Sequence, residues 1–377
     1  MRINGFTLFI FILSIYFLFI QFHQKKENID YGEIVMKYKQ SVKNWPKPTI
    51  DNHVEWQELE GLEWDSNYYD IQEQPEVILG KTLFFDPKLS SSNQISCSSC
   101  HNPELGWTDH LEVSVGNDHL LGKRNTQSLF NIADRKTYFW DGRAKTLEEQ
   151  LLGPLSAHHE MNMNPTKIPN KLKKFNQYKK LFKNAYGDDN ITFNHIAKAL
   201  VSFQKTIKSQ QSKFDKFILG DFTALTDKEI YGLHIFRTKA RCMNCHFGKN
   251  FTDESFHNIG LTYYQREYED LGLYHVTKKA EDVGKFKTPS LRDLLYTRPW
   301  MHNGLMDDLE GIISLYNSGM QVVNPTKEEK RKDPMYPVTD SLMKPLNLSL
   351  NELEALVAFL ETLSGSYYKM PRPEIPR

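Results

Sequence analysis

The four cysteines of this 377-residue chain fall into two pairs, and each pair runs directly into a histidine: Cys97-Ser98-Ser99-Cys100-His101 and Cys242-Met243-Asn244-Cys245-His246. Two thiols at that spacing reach the two vinyl groups of a porphyrin while the next imidazole falls under the iron. The run therefore carries both the linkers and one ligand for c-type haem. A zinc site, a thioredoxin-like redox pair and two disulfides draw on the same residue types. Zinc leaves the repeated histidine unexplained, and a thioredoxin motif has no reason to occur twice so far apart. The pattern predicts two covalently bound haem c groups, one on Cys97, Cys100 and His101, the other on Cys242, Cys245 and His246.

Arg2 precedes an apolar run from Phe6 to Phe22, after which Gln24, Lys25, Lys26 and Glu27 return the chain to water. Residues 1–28 read as an export signal, or as an uncleaved membrane anchor because no small-residue cleavage site follows. Export agrees with covalent haem and places the protein in the periplasm. Lys plus Arg and Asp plus Glu both number 47. That balance gives no basis for binding nucleic acid or another strongly charged polymer.

The length suits two cores. Ile196, Leu200, Phe203, Ile207, Phe214 and Phe217 recur at near-helical spacing, which predicts one long helix over residues 191–219 joining two domains, 45–215 and 216–370. Thr146 with Glu149, Thr226 with Glu229 and Ser349 with Glu352 are capping-box signatures of further helices. Residues 162–170 and 324–337, rich in Pro, Asn and charge, read as loops. Strand signals are sparse, so the expected fold is mainly α: two cytochrome c-like haem domains joined by a long helix, with extended loops.

Further landmarks are Leu83-Phe84-Phe85-Asp86, Lys123-Arg124-Asn125-Thr126, Phe139-Trp140-Asp141-Gly142-Arg143, Phe286-Lys287-Thr288-Pro289-Ser290-Leu291-Arg292 and Pro299-Trp300-Met301-His302-Asn303-Gly304. With the two haem motifs, they make the chain resemble the bacterial diheme cytochrome c peroxidases and the related MauG-type enzymes over roughly residues 75–363. The resemblance implies that the first haem binds peroxide and the second passes in electrons. It assigns the peroxide pocket to Gln150, which orients peroxide, and to Glu160, a carboxylate that moves a proton between the two oxygens. Pro154 would shape the turn between them. Trp140 matches a tryptophan relaying electrons between the haems. Asn125, Thr297 and Pro299 match positions that offer oxygens to a calcium ion, and His302 matches a histidine beside the second haem, a structural or propionate contact.

Two departures bear on subtype. Family members that need reductive activation carry a histidine where this chain has Asn117, and His119 lies two residues off. The first iron is therefore expected to be open as isolated. The far ligand of the second haem, methionine in the peroxidases and tyrosine in MauG-type proteins, falls on Tyr316, with Met320 and Met306 as nearby rivals. The leading expectation is reduction of hydrogen peroxide to water, with electrons from a small cytochrome c or cupredoxin. The alternative is MauG-type oxidation of a protein or organic substrate through a high-valent diheme state, and a third reading is a diheme electron carrier without catalysis. Homodimers are common in the family.

Overall fold

The computed structural model describes residues 31–366 and 370–377, so the expected leader or anchor at residues 1–28 lies outside the described residues. The described chain is mainly helical. Its named strands are one short antiparallel pair, Phe256–His257 against Phe286–Lys287. No helix among the described residues is long and apolar enough to cross a membrane.

Two hydrophobic cores organise the helices. The first gathers the apolar faces of Pro75–Phe85, Leu147–Ser156, Asn176–Tyr186 and Phe193–Gln204. The second gathers Gly32–Tyr38, Lys213–Ile218, Asp227–Arg237 and Leu350–Glu361. Chain ends cross over between them. Val35, Tyr38, Trp45 and Leu59 pack into the second core, ahead of the residues that build the first, and Met370 packs into the first. The crossing is tied by Thr49 N donating to Arg237 O at 2.9 Å and by the Arg237 guanidinium, buried against Glu58.

The single long helix expected over residues 191–219 is two helices, Phe193–Gln204 and Lys213–Ile218. Every apolar residue in the pattern is buried, but Ile196, Leu200, Phe203 and Ile207 enter the first core whereas Phe214 and Phe217 enter the second. Periodicity therefore persisted while the axis did not. Ser212 restarts the helix through a reciprocal capping box with Asp215. Asp215 is fully buried and also accepts from Leu62 N and from Arg292 Nη1 at 2.9 Å. A buried carboxylate needs such partners, and they hold it at the corner where the chain changes core.

Of the expected capping boxes, those at Thr226 and Ser349 are complete. Thr146 accepts from Glu149 N, but the Glu149 carboxylate reaches Lys145 N instead of closing the box. The two expected loops each contain a short helix, Ile168–Leu172 and Lys327–Lys332. The second starts with a box between Thr326 and Glu329, which the charge-rich composition obscured.

The two cores are built on the same contact. Gly80, on the Pro75–Phe85 helix, lies so close to the Phe193–Gln204 helix that an added Cβ would sit 1.8 Å from Ala199 O and 2.9 Å from Phe203 Cβ. Gly232, on the Asp227–Arg237 helix, meets Ala355 O at 1.9 Å and Phe359 Cβ at 2.7 Å by the same measure. Gly80-x-x-Leu83-Phe84 and Gly232-x-x-Ile235-Phe236 thus form a repeat, each facing an alanine and a phenylalanine four residues on. Gly232→Ala forces the helices apart, and overpacking of that kind costs about 3 kcal/mol. The holoprotein is expected to melt roughly 5–10 °C lower, while Gly122→Ala, which meets only ordinary contacts beyond 3.4 Å, leaves the transition in place. Equal melting of the two variants by calorimetry would contradict the close crossing.

Candidate functional site

The first cysteine pair forms a short helix, Cys97–Cys100, opened by Ser96 and Ser99, whose side chains cap each other's backbone. The second pair begins a 3-10 turn, Cys242–Asn244. Both histidines that follow are oriented by one device. His101 Nδ1 bonds Trp107 O at 3.1 Å, and His246 Nδ1 bonds Phe251 O at 2.8 Å. Donation from Nδ1 to a carbonyl leaves Nε2 as the lone-pair nitrogen, which is how a metal-binding imidazole is set. Burial lowers the pKa of both rings, which favours the neutral form a ligand needs.

The alternative uses of the cysteines fit poorly. All four are free. Burial pushes the Cys97 and Cys242 thiols up to about 12 and Cys100 to about 11, opposite to the activation of a redox thiol. Cys245 lies with Asp253 and His257 in a group whose ligand-type atoms fall within 4.8 Å of one another. However, His257 Nε2 is already bonded to Asp253 at 2.8 Å and Nδ1 to Asp340 at 2.6 Å. Burial opposes charge on this ring, yet the two carboxylates hold its pKa up to about 12. A doubly donating imidazolium has no lone pair for zinc.

A cavity of about 250 Å³ opens at the second motif. It is lined by Cys242, Cys245 and His246, and also by Tyr316, Trp140, His302, Asn125, Thr297 and Pro299, so the structure brings these expected site residues together. Two polar atoms on its lining residues have no partner: His302 Nε2 and Arg241 Nε. His302 is 4 % exposed and stacks on Phe286 at 3.5 Å, and burial lowers its pKa to about 4. Orphaned polar atoms in an otherwise apolar cavity fit a cofactor that brings its own polar groups.

Tyr316 reaches the cavity from the Leu309–Asn317 helix, and burial beside Cys245 and Cys242 raises its phenol pKa. Of its rivals, Met320 and Met306 do not line the cavity, whereas Met301 and Met343, which the sequence did not single out, do. Trp140 Nε1 donates to Asn125 O at 2.9 Å. Its neighbour Phe139 turns the other way, packing on the first core beside Gly153. Arg124 braces this region, bonding Asp270 through Nε and Nη2 and Asp141 through Nη1.

Near the first motif, the chain after the Leu147–Ser156 helix doubles back on it, with Met161 N bonded to Pro154 O at 3.1 Å and Met163 N to Leu155 O at 2.7 Å. Pro154 lies inside the last helical turn and not in the reversal itself, which residues 157–160 make. The return carries Glu160 alongside the helix that bears Gln150, and its charge is felt at the Cys100 thiol. Burial raises the Glu160 pKa, opposed by His159 and Arg143. The segment bearing Asn117 is pinned to this turn: Asn117 N donates to Glu160 O at 2.8 Å, and Gly116 sits where a Cβ would lie 2.1 Å from His159 O. Asn117 is buried, bonded to Ser91 Oγ and Asp118, and His119 is exposed.

The carbonyls of Trp107 and Phe251 and the Asp253–His257–Asp340 cluster were missed in the sequence. Backbone acceptors leave no residue signature, and Asp340 is distant in the chain.

A family model described as "Di-haem cytochrome c peroxidase" matches residues 74–223. The chain is 40% identical over 301 residues to the methylamine utilization protein MauG of Methylorubrum extorquens, covering 80% of this chain and 81% of that one. It is 33% identical over 299 residues to the cytochrome c551 peroxidase of Nitrosomonas europaea, covering 79% and 82%. Among solved structures, a MauG-like protein associated with microbial copper homeostasis superposes with a TM-score of 0.69 at 28% identity, covering 85% of this chain and 93% of that chain.

Proposed function

Because the chain belongs to the di-haem cytochrome c peroxidase and MauG family, we propose that it reduces hydrogen peroxide to water at the first haem site, with electrons entering at the second. The donor is a small cytochrome c or cupredoxin, and the compartment is the periplasm, in keeping with the apolar run Phe6–Phe22. The observation that carries the reading is Glu160, a carboxylate whose pKa burial raises and whose charge is felt at the Cys100 thiol, beside the first of two like-oriented histidines.

When bound, the haems supply an iron that takes peroxide and a second iron that stores and delivers electrons. The chain supplies the rest. Glu160 accepts a proton from the near oxygen and returns it to the departing one, and the raised pKa makes it a stronger base for the first step. Gln150 orients peroxide through its amide. Trp140, walled into the second cavity with its indole fixed on Asn125 O, relays electrons toward Phe139 and the first core. Asn125, Thr297 and Pro299, lining one cavity beside Trp140, would hold calcium through oxygen donors and so stiffen that relay. The two cores serve as two haem domains, and His302 meets a propionate. Turnover of reduced cytochrome c by peroxide tests the reading, and no turnover by the wild-type holoprotein would defeat it.

Tyr316 favours a second reading, MauG-type oxidation of a protein or organic substrate. It lines the same cavity as the motif residues, whereas Met320 and Met306 do not. A phenolate ligand stabilises oxidised iron relative to a thioether. If the exchange moves the potential by about 0.2 V, it shifts the one-electron equilibrium by roughly 5 kcal/mol. Tyr316→Met is therefore expected to raise the second haem's potential by that order in a redox titration followed by absorbance. An unchanged potential would assign the ligand elsewhere, with Met343 and Met301 next in line.

A further inference from the structure

A series of oxidisable rings runs from the first haem site to the surface. It starts at Trp107, 4 % exposed, whose carbonyl holds the His101 imidazole at 3.1 Å and so couples it to the first iron's ligand. Trp107 and Tyr68 line one small cavity of about 20 Å³, room for a single water. Tyr68, 6 % exposed, meets Tyr69 edge-on with ring centroids 5.5 Å apart, and Tyr69 meets Trp64 at 6.3 Å. Tyr69 and Trp64 are 58% and 53% exposed. Two large aromatic rings held together in solvent, backed by a buried third, form an apolar patch of the kind that meets a partner. Glu63, Asp70 and Glu73 are exposed beside the two rings in the sequence, and Asp65 is paired with Lys208 at 2.7 Å.

We infer that Trp64 and Tyr69 form an electron-entry site for small aromatic one-electron reductants, aromatic amines above all, which supply the first haem through Tyr68 and Trp107 without using the second haem. The inference rests on the peroxide-reducing reading above. The neutral amine is the reductant, and the exposed acids Glu63, Asp70 and Glu73 would stabilise the radical cation it becomes. Two amine molecules each give up one electron, and peroxide takes both electrons together with two protons from solvent. The O–O bond breaks, two waters form and two amine radical cations leave. Each tyrosine loses its phenolic proton as it is oxidised and recovers it as it is reduced. For buried Tyr68, the carboxylate of Asp293, which lines the same cavity, would take the proton.

The test uses the holoprotein with tetramethyl-p-phenylenediamine as donor. The double variant Trp64→Phe/Tyr69→Phe is expected to lose at least tenfold in kcat/KM for this amine while keeping its turnover with reduced cytochrome c. In wild-type protein given peroxide and no donor, peptide mass spectrometry is expected to find oxygen added at Trp64, and Tyr68→Phe should abolish that addition. Amine turnover within twofold of wild type in the double variant, or Trp64 oxidation undiminished by Tyr68→Phe, overturns the entry site. If instead the wild-type haem absorbance does not respond to peroxide at all, the peroxide-reducing reading itself fails, and the entry site with it.

Discussion

Replacing Glu160 by glutamine lowers kcat/KM for peroxide by a hundredfold or more, because a positioned proton-transfer group contributes about 10²–10⁴ and glutamine keeps the shape while removing the chemistry. The wild-type pH profile carries the same signature. Only the ionised carboxylate accepts the peroxide proton, so activity falls as pH drops through the Glu160 pKa, and burial moves that limb upward. The variant is expected to lose the limb together with the rate. Stopped-flow mixing with peroxide at a series of pH values measures both. A Glu160→Gln protein that reacts as fast as wild type, with the limb intact, would remove Glu160 from the pocket.

Asn117→His should close the first site. The backbone at position 117 is fixed beside Glu160 by the 2.8 Å bond to its carbonyl and by the tight contact of Gly116 with His159. An imidazole introduced there starts from backbone pinned to Glu160. The oxidised variant is expected to show a low-spin signal for the first haem in electron paramagnetic resonance, where wild type shows a high-spin one, and to react with peroxide at least a hundredfold more slowly. Prior reduction should restore the rate. Asn117→Ala removes the same bonds to Ser91 and Asp118 without adding a ligand, and it keeps the open site. A fast, high-spin Asn117→His protein would mean that the segment does not approach the iron.

The parts of the site carried by short motifs were legible from residue order alone. The cysteine pairs and their histidines bring linker and ligand in five consecutive residues, and the structure orients both rings alike. Tyr316, Trp140, His302 and the Asn125, Thr297 and Pro299 set came by resemblance, and the cavity gathers them. What the sequence concealed depends on direction rather than composition. The run from Ile196 to Phe217 keeps helical spacing across a corner, because each half satisfies its own core and only the Ser212 and Asp215 cap marks the break. Met343 was passed over because nothing local ties it to a cavity built from residues far from it in the chain. The helix at Lys327–Lys332 was hidden by its charge, since a solvated helix of two turns or fewer has no apolar stripe to detect.

The matched crossings at Gly80 and Gly232 show one clamp of two helices used twice. Nothing in the clamp separates the two haem sites. Under the proposed division of labour, their difference would hang on what each copy carries: a reversal ending in Glu160 in one, a helix ending near Tyr316 in the other. The two jobs can therefore drift apart, or be regrafted, by exchanging appendages while the duplicated frame stays untouched.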